Sequence, residues 1–214
     1  MERQATLAML VVMTSPRPLV ERKRRQARAR IIEAAQELFH ERGFDGVSVG
    51  DIAERAEVGR TTFFRHFVDK QEVVFAREQE LLEVVDATAR ADDVPAARSA
   101  TEAIEQLRPV VLAICAQAAA DPEGYTRHFQ LIEQHPELRA RDAVKVQEIA
   151  DKLGDLLIGR GSDEATARFA AHIAIACYQT AKRLGNDPRT LVDDVRAAFE
   201  RVLTLGAGPT EPRS

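Results

Sequence analysis

The chain has 214 residues, of which 45% are hydrophobic and 30% charged, and a formal net charge of −4. That balance is ordinary globular usage and excludes a disordered chain, while the length permits one large domain or a small module fused to a larger one. Two cysteines, Cys115 and Cys177, exclude a disulfide-rich scaffold and a Cys-rich zinc site, and no apolar run approaches the ~20 residues of a membrane-spanning helix.

The first apolar run, Ala5 to Met13, follows Arg3. It lacks a small-residue cleavage site and leads into Arg-rich sequence, so it reads as a tail and not as a signal peptide; the expected location is the cytoplasm. Charge is uneven. Residues 1–70 hold 13 Lys/Arg against 10 Asp/Glu, and residues 71–214 hold 17 against 24. Arg22, Lys23, Arg24, Arg25, Arg28 and Arg30 place six cations in nine residues, directly before an amphipathic helix. That concentration points to a polyanion partner.

Ile31, Ile32, Ala35, Leu38 and Phe39 fall at helical spacing, and Gly43 stops that helix. Ser48-Val49-Gly50-Asp51 is a capping-box start for a second helix, with Ile52, Ala53 and Ala56 on its inner face. A break at Glu57-Val58-Gly59 leads to a short helix from Arg60 to Phe67, with Phe63 and Phe67 on one face. Asp69-Lys70-Gln71-Glu72 opens a longer helix expected to reach about Arg90. After a linker at Asp92 to Pro95 comes a helix from about Arg98 to Ala120. Pro109 inside it is expected to cause a kink and free the carbonyl of Glu105 for water or ligand.

Asp121-Pro122 and His135-Pro136 each mark a new helix start, and Gly159 and Gly161 end the next helix. A helix from about Glu164 to Leu184 stops at Gly185, Asn186-Asp187-Pro188 restarts the chain, and the last helix ends near Gly206. No segment alternates with the period of a strand, so the expected class is all-α. There is no Gly-rich phosphate loop, no GxSxG and no clustered acid–base pair, so an enzyme is not expected. His128 and His135 lie two turns apart, which is no metal-ligand spacing, and neither metal nor cofactor is expected.

Two short helices joined by a tight turn form a helix-turn-helix, whose second helix can enter the major groove of double-stranded DNA. With Phe63 and Phe67 turned inward, Arg60, Thr61, Phe64 and Arg65 point outward, and Phe64 beside Arg, Thr and His suits contact with sugar and thymine methyls. The string IIEAAQELFHERGFDGVSVGDIAERAEVGRTTFFRHFVDKQEVV, Ile31 through Val74, resembles the DNA-binding domain of the TetR family of bacterial transcriptional regulators. That resemblance implies a base-reading role for Arg60 and Thr61, phosphate contacts for Thr62, His66 and Lys70, and a capping hydroxyl at Ser48 that also touches the DNA backbone. Arg24 and Arg28 are expected to belong to a basic arm and first turn on backbone or minor groove. Three positions depart from the family pattern: Phe64 stands where Tyr is usual, Gly50 has no side chain to read a base, and Glu57 replaces the usual turn Gly.

The resemblance further implies a homodimer on a palindromic operator and a larger helical domain that binds a small-molecule effector. Phe169, Ile173, Cys177, Ala181 and Leu184 on one helix, and Leu191, Val195, Ala198, Val202 and Leu205 on the next, line up at helical spacing. They either cover the core of one protomer or, as the resemblance implies, build an intersubunit four-helix bundle. Cys115, Tyr125, His128, Phe129, Ile132, His172 and Tyr178 are candidates for a ligand-cavity wall, with ordinary core packing as the alternative for each. The expected organisation is a disordered tail at 1–21, a three-helix helix-turn-helix domain at 22–70, a ligand-binding and dimerisation domain at 71–206, and a disordered tail at 207–214. The expected function is an effector-released repressor; an activator, a non-specific DNA-binding protein on the same fold, and a helical protein that never uses DNA are the alternatives.

Overall fold

The computed structural model describes residues 16–76, 85 and 94–205, all of them in helices or in the turns that join them. These residues divide into two compact units, one ending at Val74 and the other starting at Phe75. The boundary expected at residue 70 therefore falls after the short helix that Lys70 opens. Residues 1–15 of the expected N-terminal tail, the whole expected C-terminal tail, and most of the expected helix beyond Phe75 lie outside the described residues.

The first unit contains α1 (Pro16–Arg42), α2 (Val49–Arg55), α3 (Arg60–His66) and α4 (Lys70–Val74). Helix α1 starts inside the stretch expected to be a tail, and the expected basic arm is a continuous helix. Arg, Gln and Ala are strong helix formers, which explains the extension. Its second half buries Ile31, Ala35 and Leu38, whereas residues 19–26 are exposed. Gly43 ends α1 at φ +71°, and its amide donates to the Phe39 carbonyl at 3.1 Å. A left-handed residue at that position closes the last turn, and Gly takes it without a Cβ clash.

With seven residues each, α2 and α3 are too short to persist alone. Tertiary contacts hold them. Ile52 and Phe63 are fully buried, and Phe67 is nearly so. Arg55 on α2 donates from Nη1 to Glu37 Oε2 and from Nη2 to Glu41 Oε2, each at 2.9 Å, which ties α2 to α1. Between α2 and α3, Glu57 adopts φ +53°, the left-handed turn in which Gly would be unstrained.

The second unit contains α5 (Ala100–Ala118), α6 (Pro122–Gln134), α7 (Pro136–Gly159), α8 (Glu164–Leu184) and α9 (Leu191–Leu205). Side chains cap three of the starts: Ser99 accepts from the Glu102 amide, Asp121 from Gly124 and Asp163 from Thr166. Helix α8 is central and packs against α5, α7 and α9. Its Ala167, Ala170, Ala171 and Ala174 are fully buried, and such small side chains let neighbouring backbones approach. Helix α5 runs through Pro109 without a break, and both Pro109 and Glu105 are exposed, so the expected carbonyl site near Glu105 does not face the interior. Asn186, expected to cap the last helix, is instead left-handed at φ +46°. The 186–190 stretch forms a turn closed by hydrogen bonds to the Asp187 carbonyl, and α9 begins only at Leu191.

Candidate functional site

In the first unit, the capping box predicted at Ser48 is complete. The Asp51 amide donates to Ser48 Oγ at 3.2 Å, the Ser48 amide donates to Asp51 Oδ2 at 2.8 Å, and the Ser48 hydroxyl also donates to Asp51 Oδ2. These bonds, with Arg42 at 3.6 Å, hold the Asp51 carboxyl below its usual range. The box fixes where α2 starts, and through Ile52 and Phe63 it fixes how α3 is presented.

Helix α3 has one inward and one outward face. Phe63 is fully buried and meets Phe67 with ring centroids 5.8 Å apart. Arg60, Thr61, Phe64 and Arg65 are exposed, and Thr62 and His66 are half-buried. Phe64 is 53% exposed although its ring stands edge-on to Phe63 at 5.5 Å.

Arg24 and Arg28 of α1 lie close enough to His66 to lower its pKa, an effect added to the larger one of burial. The Arg28 guanidinium sits 5.3 Å from the centre of the Phe67 ring. The C-terminal end of α3 and the N-terminal half of α1 thus form one basic cluster. Lys70 differs from expectation. Its ammonium donates to the carbonyls of Phe44 at 2.8 Å and Val47 at 3.0 Å and stands 4.2 Å over the Phe44 ring. It fastens the α1–α2 loop to the start of α4, a bond between segments more than 20 residues apart.

The second unit holds a cavity of about 190 Å³ between α5, α6, α7 and α8. Five of the seven predicted wall residues line it: Cys115, Tyr125, His128, Phe129 and Tyr178. Two do not. Ile132 is buried elsewhere in the core, and His172 is exposed, with Nδ1 2.7 Å from the Arg168 carbonyl one turn back. Burial pushes the Cys115 thiol up to about 12, so it stays protonated at neutral pH. Burial also raises Tyr125, whose hydroxyl donates to Asn186 Oδ1 at 2.8 Å.

Sequence reasoning missed Asp142. This carboxylate lines the cavity and accepts from Lys182 Nζ at 3.2 Å, while the same ammonium stands 3.8 Å from the centre of the Phe129 ring. A signal existed: Asp142, Val146, Ile149 and Leu153 recur at helical spacing, so Asp142 continues the inward stripe of α7. The His128 ring stands edge-on to Phe75 at 5.9 Å.

The predicted dimer surface needs a correction. Cys177, Ala181, Leu191 and Val195 are buried within the protomer and have no face to offer a second copy. Phe169 is 55% exposed, and Ile173 and Val202 are half-buried. The exposed apolar positions on these helices include Leu184 at 75% and Leu205 at 84%. Helices α8 and α9 are apolar on two sides, and spacing alone drew residues from both.

Residues 31–76 match the sequence profile of bacterial regulatory proteins of the tetR family, and residues 101–205 match that of the MftR C-terminal domain. The chain is 30% identical over 203 residues to a transcriptional regulator named MftR from Mycobacterium tuberculosis, a match covering 88% of this chain and 94% of that one. It is 27% identical over 169 residues to the HTH-type transcriptional regulator TcmR of Streptomyces glaucescens, covering 78% and 74%. Among solved structures, FadR of Thermus thermophilus, a repressor crystallised with lauroyl-CoA, shares the fold with a TM-score of 0.53 at 22% identity, covering 87% of this chain and 98% of that one.

Proposed function

Because the chain belongs to the TetR family of bacterial regulatory proteins, and so is a DNA-binding transcriptional regulator, we propose that it works as a homodimeric repressor which leaves a palindromic operator when a small molecule fills the cavity of the second unit. The observation that carries this reading is the outward face of α3. Phe63 anchors the helix from below, which leaves Arg60, Thr61, Phe64 and Arg65 free to meet base edges in the major groove. Arg60 suits guanine, whose O6 and N7 accept both arms of a guanidinium. Arg24, Arg28 and His66 contact the phosphates beside the groove, and Ser48 and Thr62 complete the backbone contacts. Lys70 acts on DNA indirectly, by fixing the loop before α2.

One seven-residue helix touches too few base pairs to select an operator, so two copies related by a two-fold axis divide the site. The exposed side chains Phe169, Leu184 and Leu205 supply the apolar part of that pairing, with Ile173 and Val202 at its edge. Effector binding shifts the population away from the DNA-competent spacing by a coupling free energy of ~1–3 kcal/mol. No single helix among the described residues is long and apolar enough to cross a membrane.

Selection of bound fragments from random or genomic DNA tests the reading. The expected product is an imperfect palindrome, bound at least ~10³-fold tighter than competitor DNA. Recovery of fragments without a shared sequence would leave a non-specific binder on the same fold.

A further inference from the structure

The cavity is walled by aliphatic side chains and Cys115, by the rings of Tyr125, Phe129 and Tyr178, and by three polar side chains, Gln117, His128 and Asp142, of which Asp142 is the one carboxylate. Such a site selects its ligand through its few polar groups, because the apolar wall accepts any shape that fits. No Lys or Arg lines it among the described residues. Lys182 is paired with Asp142 at 3.2 Å, so an anionic head group entering the cavity would meet a carboxylate and no uncommitted cation on the wall. A cation meets the reverse. The ring of Phe129 already holds an ammonium 3.8 Å from its centre, in contact with Asp142, which demonstrates that this corner accommodates positive charge. The ammonium there belongs to a long side chain from the last turn of α8, still 21% exposed.

We propose that the cavity binds a small organic ammonium, which takes the place of Lys182 between Asp142 and the Phe129 ring. The proposal rests on the effector-response reading above and gives it a ligand class. The 190 Å³ of the cavity exceeds the ~150 Å³ that holds one benzene ring, so the fitting ligand is one ring or a short alkyl chain with a compact cationic head. Asp142 supplies the charge and Phe129 the face, while Ile114, Ile149 and Ile175 cover the apolar remainder.

Three probes of similar size and different charge test this in the full-length protein by isothermal titration calorimetry: phenyltrimethylammonium, its neutral isostere tert-butylbenzene, and phenylacetate. The cation is expected to bind at least tenfold tighter than either of the others. Asp142→Asn, which keeps the shape, should erase that preference to within about twofold. Lys182→Met, which removes the competing ammonium, should strengthen cation binding several-fold, and it keeps the test decisive if Asp142→Asn folds poorly. Equal or tighter binding of phenylacetate or tert-butylbenzene, or no binding of any probe at millimolar concentration, overturns the proposal. Operator binding measured alongside separates the two claims. Release by phenylacetate or tert-butylbenzene alone would keep the effector reading and remove the ligand class. Tight cation binding that left operator affinity unchanged would keep the ligand class and remove the effector reading.

Discussion

Replacing Lys70 by Met retains most of the aliphatic stem and removes the ammonium. In the structure that ammonium makes two bonds to carbonyls, at 2.8 and 3.0 Å, and one contact over the Phe44 ring at 4.2 Å. A hydrogen bond to a charged group contributes ~1.5–3 kcal/mol, and a cation over a ring at a partly exposed site ~0.5–1 kcal/mol. Water can reach part of this site and replace some of the loss, so the expected cost is about 2 kcal/mol for the first unit. With a urea slope of ~1–3 kcal/mol/M, the unfolding midpoint of that unit should fall by about 1 M, read by circular dichroism at 222 nm. DNA affinity should fall through the unfolded fraction and through a looser α1–α2 loop, with the salt dependence kept. A midpoint that does not move, together with a salt slope reduced by ~0.9, would mean that the ammonium serves a phosphate and not the two carbonyls.

Glu57→Gly should stabilise the first unit by ~1 kcal/mol, because φ +53° costs an L-residue about that much and the 3.9 Å approach to Arg30 involves side chains 86% and 49% exposed, which contribute little; a lower melting temperature would refute the strain argument. His66 is held below its ordinary value by burial and by Arg24 and Arg28. The unfolded chain therefore takes up this proton first as pH falls below ~6.5, and the first unit loses stability from there down to the folded value. A DNA phosphate beside His66 favours the imidazolium, so operator affinity should rise between pH 8 and pH 6, and His66→Asn should flatten that profile; an unchanged profile removes His66 from the interface. The double change Phe169→Glu with Leu184→Glu places charge on exposed positions and should leave the helical content intact while shifting the sedimentation profile towards monomer. A dimer that survives it would place the pairing surface elsewhere.

The first unit was legible because its information is local. The capping box at Ser48, the stop at Gly43 and the Phe63/Phe67 pair each lie within a few residues of their partners, and the left-handed turn at Glu57 follows from the break before Arg60. The carbonyl bonds of Lys70 were not legible because its partners, Phe44 and Val47, lie 26 and 23 residues away, and no sequence spacing relates a side chain to a distant carbonyl. The second unit was legible as helices and, for five of seven positions, as a cavity wall, but not in which apolar side faces inward. In α8, Cys177 and Phe169 occupy an apolar pattern equally well, yet one is buried and the other 55% exposed, because neighbours and not period decide which apolar side faces inward. His172 failed for the same reason, and Asp142 was passed over because a carboxylate on a helix is usually solvated.

Helix α3 owes its shape to residues other than those that would read a base. Phe63 and Phe67 below it, and the Arg55 fork that ties α2 to α1, keep it in place. Arg60, Thr61, Phe64 and Arg65 contribute little to that anchorage, and exchanging exposed side chains of this kind usually shifts stability by no more than ~0.5 kcal/mol. The four positions therefore form a surface that evolution or a combinatorial library can rewrite for new operators while the scaffold stays as it is.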